Sequence, residues 1–244
     1  MVTEISVVYA AYNEEENLRD TIQRSIEALR PRFQRFEILL VNDCSKDATP
    51  AIADELAAQY PELTVLHNPQ NLGFTGSLLK AFRHVRYAWV VYNAVDYPFD
   101  LCDLDKMIPL LDNADIVVAA RTGRPGYTTY RLMLSHANIL LLHFFFNLRL
   151  RDYNFIQIFP ASFLRQVKVV SRSAGFVPPE MMFRANDMGM RIVEVPITYH
   201  PRLKGKATAG NIKIVVRSLK ELLGFWWLRV RGKTKPREIW KRSE

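Results

Sequence analysis

The sequence predicts an α/β fold, a sheet of mainly parallel strands joined by helices. Short apolar runs rich in β-branched residues recur as far as Arg121, and each is followed by a segment whose apolar positions fall at helical spacing. Strands that alternate with helices pair in parallel through right-handed crossovers, and such sheets collect ligands at the carboxyl ends of their strands. With 244 residues, 49% hydrophobic and 24% charged, the chain can bury one substantial core without staples.

Taken in order, EISVVYA (4–10) is a strand and EENLRDTIQRSIEALR (15–30) a helix, and FEILLVN (36–42) with TPAIADELAAQ (49–59) repeats the pair. LTVLHN (63–68), TGSLLKAFRHV (75–85), YAWVVYN (87–93), LDKMIPLL (104–111) and ADIVVAAR (114–121) continue the rhythm. Beyond it the alternation fails. HANILLLHFFFNL (136–148) is an apolar segment, NFIQIFP (154–160) a short run, PEMMFRANDMG (179–189) a helix and RIVEVPITY (191–199) a strand. No internal repeat or low-complexity linker divides the chain. Residues 220–244 mix Trp226 and Trp227 with arginines and lysines and read as an appendage.

Cys44 and Cys102 are the only cysteines, which gives neither a disulfide framework nor a zinc spacing and fits a reducing compartment. No run reaches the roughly 18 apolar residues that a span requires. The first residues, MVTEISVVYAAYNEEE, carry acids where a signal peptide carries basic residues. A cytoplasmic chain, neither exported nor membrane-spanning, is expected. The formal charge of +8 points to an anionic partner. Nucleic acid is not expected, because the basic residues form no helix-turn-helix, finger or RNA-recognition motif.

Three polar loops follow strands at the ligand-binding edge: AYNEEEN, NDCSKDAT and NAVDYPFD. In the first, Glu14, Glu15 and Glu16 suit the positive end of the next helix, a purpose that does not need Tyr12 or Asn13. In the second, Ser45, Asp47 or Thr49 can cap a helix. Asp43 stands earlier, at the strand end, where a carboxylate can accept a hydrogen bond from the N–H of a nucleobase. In the third, Asp96 is a candidate ligand for a hard cation bridging two phosphates, since magnesium often takes only one or two carboxylates with phosphate and water. Turn chemistry before Pro98 explains the same aspartate.

The ordered segments VVYAAYNEEENL, EILLVNDCSKDAT, NLGFTGSLLKAF, VVYNAVDYPFDLCDLDKMIPLL, ADIVVAAR, RDYNFIQIF and RIVEVPITYHPRLKGKAT resemble family 2 glycosyltransferases of the dolichyl-phosphate mannosyltransferase type, over residues 5–208. The resemblance implies a GT-A fold, a Rossmann-like nucleotide-binding domain with a mixed central sheet. That domain would cover residues 1–208, followed by an amphipathic helical extension over residues 209–244. It places Ala10, Tyr12 and Glu14 in the first nucleotide-contacting loop, with Ala10 where the family usually has proline, and makes Asp43 the base-binding aspartate.

The family's metal loop reads Asp-Ala-Asp-Gly-Gln-Phe-Asp. The matching stretch is Ala94-Val95-Asp96-Tyr97-Pro98-Phe99-Asp100, so of the acid pair only Asp96 survives as a ligand for Mg2+ or Mn2+. A shifted register would offer Asn93 on the donor side. Charge developing on a leaving nucleoside diphosphate can be offset by a cation or by converging basic side chains. Arg121, Arg124, Arg131, Arg202, Lys204 and Lys206 lie in loops that can supply them, and Arg202 matches the family's phosphate-side loop. Arg121 is assigned to the donor and Arg131 to the acceptor.

Asp152, Asn154, Gln157 and Glu180 fall on the acceptor side by resemblance. A polyprenyl phosphate is already ionised and needs no general base, whereas a sugar hydroxyl needs one, for which Asp152 is the first candidate. HANILLLHFFFNL and LLGFWWLRVRGK have the composition of segments that lie on a membrane, so peripheral contact with its cytoplasmic face is expected. The implied activity is an inverting transfer from a UDP- or GDP-sugar to a polyprenyl phosphate. The alternatives are transfer to a saccharide hydroxyl and a non-catalytic nucleotide-sugar-binding protein that lost turnover with Ala94 and Pro98.

Overall fold

The computed structural model describes residues 2–200 and 212–234. β1 (Glu4–Ala11), α1 (Leu18–Leu29), β2 (Arg35–Asn42), α2 (Thr49–Gln59), β3 (Leu63–His67), α3 (Gly73–Phe82) and β4 (Trp89–Ala94) realise the predicted alternation. The LDKMIPLL segment is not one helix. It divides into α4 (Leu104–Met107) flanked by 3-10 turns, because Pro109 lacks the N–H that would continue the ladder. β5 (Ile116–Arg121), α5 (Thr129–Phe145), β6 (Ile156–Pro160), α6 (Ala161–Gln166), α7 (Val177–Asp187), β7 (Ile192–Ile197) and α8 (Ile212–Val230) follow.

The strand order is β3-β2-β1-β4-β6-β5-β7. β4 and β5 are separated by β6, which runs antiparallel to both, so the sheet is mixed. The reason lies in α5. β5 ends and β6 begins at the same edge, so α5 cannot be a crossover helix and is instead an excursion beside the ligand-binding edge. Only Leu142 of α5 is buried.

Both faces of the sheet are covered, and the strands are accordingly apolar on both sides. Val7, Tyr9, Ile38 and Leu40 pack with α1 and α2, while Val8, Leu39, Val41 and Tyr92 pack with α3, α6 and α7. α8 is docked and is not the free appendage that its composition suggests. Its Leu222 and Phe225 enter the second core cluster, and Phe225 meets Phe146 and Phe176. Burying one such ring contributes on the order of 2 kcal/mol. Glu221 of α8 also accepts the backbone N–H groups of Arg172 and Ser173.

Candidate active site

Sheet register brings the three polar loops together. Ala10 pairs with Ala94 across β1 and β4, Ala11 pairs with Asn42 across β1 and β2, and Asp43 N–H donates to Ala11 O at 2.8 Å. The first two loops are then bound to each other. Asn13 N–H donates to Ser45 Oγ, Lys46 N–H to Asn13 Oδ1, Glu14 N–H to Thr49 Oγ1, Glu15 N–H to Asp47 Oδ2 and Ala48 N–H to Glu15 Oε2. This corrects two expectations: α1 starts only at Leu18, and neither Ser45 nor Thr49 caps α2. Their hydroxyls are already engaged with the neighbouring loop. Asn13, Cys44 and Tyr97 have positive φ angles of 54°, 61° and 51°. One stands in each loop, and non-glycine residues held in that region cluster at functional sites.

Asp43 is 3% exposed. Its Oδ1 accepts from Asn68 Nδ2 and from Leu72 N–H, both at 2.8 Å. Tyr12, the first residue after β1, is about half exposed. Glu14 takes part chiefly in loop structure, with Oε2 accepting from Asn17 Nδ2 at 2.9 Å.

The loop after β4 is clamped from within. Asn93 donates from Nδ2 to Phe99 O and accepts Ala94 N–H at Oδ1, each at 2.9 Å. Both ends of its amide are committed, so Asn93 holds the loop and is not a substitute ligand. Asp100 caps the 3-10 turn that follows, its Oδ1 accepting Cys102 N–H at 2.9 Å. The resemblance aligns Tyr97 with the family's glycine, and its positive φ is a backbone that glycine adopts freely. That conformation costs a non-glycine residue about 1–2 kcal/mol. Burial of the ring and the Arg24 guanidinium 4.1 Å from its centroid offset the strain. The same burial pushes the Tyr97 pKa up and keeps the phenol neutral.

Among the described residues no cluster of three or more His, Cys, Asp or Glu side chains is placed to hold a metal. The loop offers Asp96 alone, which meets the minimum for a cation completed by phosphate and water. Tyr199 lies close by. Its pKa is raised by burial, then by Tyr127 and Asp96.

Because β6 runs backwards, the segment leading into it lies at the same edge as Arg121, the last residue of β5. Arg121 donates from Nε and Nη2 to the two oxygens of Asp152, at 2.5 and 2.8 Å, and from Nη1 to Tyr127 OH at 3.0 Å. Both members of the ion pair are buried. Burial opposes the Arg121 charge, but the Asp152 carboxylate outweighs it and the Arg121 pKa lies above its ordinary value. Arg124 reaches Asp152 Oδ2 at 3.4 Å and donates to Ser135 Oγ. Arg131 stacks over the Tyr127 ring at 4.2 Å.

Two acceptor-side expectations are corrected. Gln157 lies inside the sheet, bonded to Tyr92 OH and Tyr153 O. Glu180 is 0% exposed and receives Val170 N–H, Ser171 N–H and Arg184 Nε, so it fixes the segment before α7. Asn154 is at the site edge, and its Oδ1 is buried with no partner among the described residues. Arg202, Lys204 and Lys206 lie outside the described residues. Tyr127, Ser135 and Tyr199 join the site without having been expected there. The one signal for Ser135 was its helical spacing, four residues beyond Arg131.

The sequence profile described as "Glycosyl transferase family 2" matches residues 6–172. The glycosyltransferase AglD of Haloferax volcanii is 28% identical over 236 residues, covering 92% of this chain but only 37% of that relative. The undecaprenyl-phosphate mannosyltransferase of Micrococcus luteus is 30% identical over 214 residues, 83% of this chain and 86% of that protein. Among solved structures, mannosyltransferase PcManGT from Pyrobaculum calidifontis, in complex with GDP-Man and Mn2+, superposes with a TM-score of 0.65 at 19% identity, over 93% of this chain and 64% of that one. Glucosyl-3-phosphoglycerate synthase from Mycobacterium tuberculosis, in complex with Mn2+, UDP-glucose and phosphoglyceric acid, gives 0.69 at 15% identity, over 92% and 80%. The mixed sheet, the three loops at its carboxyl edge and these likenesses agree: the chain belongs to family 2 of the glycosyltransferases.

Proposed function

We propose that this glycosyltransferase moves a sugar from a UDP- or GDP-sugar to a polyprenyl phosphate, with inversion at the anomeric carbon. The observation that carries the acceptor assignment is an arginine cluster leading straight into an exposed apolar helix. Arg131 lies in the first turn of α5 and Ser135 one turn on, while Met133, Leu140 and Phe144 of the same helix are 66%, 67% and 82% exposed. A lipid phosphate has the matching shape, an anionic head on an apolar tail. Leu219, Leu223 and Trp227 of α8 are also exposed, and α8 meets α5 through Trp226 and Phe145. The joint surface suits peripheral contact with the cytoplasmic face of a membrane. In this reading residues 1–208 form the transferase unit and residues 209–244 the membrane-contacting extension. The relative named undecaprenyl-phosphate mannosyltransferase supports the same acceptor class.

The donor lies across the three loops, its base N–H on Asp43, with Ala10, Tyr12 and Glu14 in the contacting loop. Arg124, Arg131 and Ser135 bind the acceptor phosphate. A phosphate oxygen attacks the anomeric carbon from the face opposite the leaving group. The new C–O bond forms as the bond to the nucleoside diphosphate breaks, and the electron pair departs with the diphosphate. No proton has to move, because the acceptor is already ionised.

Asp152 acts as a positioning residue. Arg121 occupies both of its oxygens, which disfavours it as the base that a saccharide hydroxyl would require. Asn154 Oδ1 can accept only from a hydrogen donor, so it suits a hydroxyl of the transferred sugar. Asp96 would hold Mg2+ or Mn2+, which when bound offsets charge on the diphosphate. Arg202 is assigned to the phosphate side.

The test follows labelled sugar from each nucleotide sugar into butanol-extractable product, using anionic vesicles that contain polyprenyl phosphate, with and without EDTA. Organic-soluble label is expected, lost with EDTA and with Asp96→Asn. Arg131→Ala should lower kcat/KM for the lipid at least about tenfold, the loss of one charge-assisted hydrogen bond. Label found only in water-soluble saccharide, or donor binding without turnover, overturns the proposal.

A further inference from the structure

We infer that the nucleotide crevice selects a base with a single imide N–H on its pairing edge, uracil or thymine, over guanine. The inference rests on the reading of Asp43 as the base contact. The fold leaves the choice open, since PcManGT holds GDP-Man and the mycobacterial synthase holds UDP-glucose. The base must therefore be read from this chain's own residues.

Asp43 Oδ1 already accepts from Asn68 Nδ2 and Leu72 N–H at 2.8 Å each. The orientation of the Asn68 amide is fixed. Lys80 Nζ donates to its Oδ1 at 2.7 Å, and Nδ2 also donates to Ser77 Oγ at 2.9 Å. Both Asn68 amide hydrogens are thus spent inside the protein, and both lone pairs of Asp43 Oδ1 are taken. Oδ2 is the oxygen left for the base. Guanine presents N1–H and N2–H side by side and needs both oxygens of a carboxylate. On Oδ2 alone only one of its two parallel N–H bonds meets an oxygen in line. Uracil and thymine present N3–H alone, which one oxygen satisfies.

The experiment is calorimetric titration of UDP, dTDP and GDP into the full chain and into Asn68→Ala, which frees one lone pair of Oδ1. For the unmodified protein, UDP or dTDP is expected to bind at least tenfold tighter than GDP, about 1.4 kcal/mol. The tighter of the two identifies the source of the imide. In Asn68→Ala that preference should narrow by more than threefold. A preference unchanged in a folded Asn68→Ala variant overturns the explanation. GDP binding as tightly as UDP and dTDP, or tighter, overturns the inference and leaves the nucleotide site standing. Failure of all three nucleotides to bind overturns both.

Discussion

Replacing Asp152 with asparagine separates a positioning role from a catalytic one. The Asp152 carboxylate takes two hydrogen bonds from Arg121, at 2.5 and 2.8 Å, and lies 3.4 Å from Arg124, with the Arg121 and Asp152 side chains only 9% and 3% exposed. Removing one charge of a buried pair leaves the other uncompensated, at a cost of about 3–5 kcal/mol. Asparagine keeps one acceptor oxygen, so the lower end, about 3 kcal/mol, is expected. A domain of this size loses about 2–4 °C of Tm per kcal/mol, so Tm should fall by about 6–12 °C. Circular-dichroism melts of Asp152→Asn, Arg121→Met and the double variant supply the assay. The double variant should recover part of the loss, since it leaves no orphan charge, while activity stays low because Arg121 is gone. An unchanged Tm in Asp152→Asn, with transfer abolished, would refute the positioning role and make Asp152 the base.

Other perturbations reach separate parts of the account. Ser45→Ala with Thr49→Val removes two of the bonds between the first two loops, about 1 kcal/mol each. Nucleotide affinity should drop by up to about 30-fold, and an unchanged Kd by calorimetry would show that the loops need no such bonds. Glu180→Ala should destabilise the fold by about 3 kcal/mol, stranding Arg184 and two backbone N–H groups. The acceptor KM of the folded variant should stay as it was, and a selective rise would return Glu180 to the acceptor site. Phe144→Ser with Trp227→Ser should cut co-sedimentation with anionic vesicles more than tenfold, since each buried ring contributes about 2 kcal/mol, without changing the donor KM. Equal sedimentation would remove α5 and α8 from membrane contact.

Burial raises the Glu194 pKa above 4.5 in the folded protein. The folded state then binds more protons than the unfolded one in a window upward from that value, so Glu194 makes stability fall as pH rises through it. Glu194→Gln keeps an acceptor for Arg151 and Asp152 N–H and should flatten that fall, raising Tm at neutral pH. A lower Tm would mean that the carboxylate charge is stabilising.

The first half of the fold was legible because each strand is apolar on both faces and the helices between carry apolar stripes. The direction of β6 was not, since a run as short as IQIFP reads the same either way, and it was β6 that set Asp152 beside Arg121. Asp43 and Asp96 could be placed at one edge because both lie just beyond strands that must end there. Asn93, Gln157 and Glu180 misled because a polar side chain looks the same in sequence whether it serves a ligand or the backbone. Nothing in the sequence marked Tyr97 as a residue with a positive φ, a backbone that glycine adopts freely. Docking of α8 depended on Phe225, which nothing in the sequence distinguished from its exposed aromatic neighbour Trp227.

The central claim, inverting transfer to a lipid phosphate, is met most directly by the structure of the product. Nuclear magnetic resonance of the butanol-extracted material made from an α-linked nucleotide sugar reports both the linkage and the anomeric configuration. The account predicts phosphorus coupling to the anomeric carbon and a β configuration, a sugar joined to the polyprenyl phosphate itself. An α-linked product, or an anomeric carbon bound to a hydroxyl oxygen with no phosphorus coupling, would contradict it.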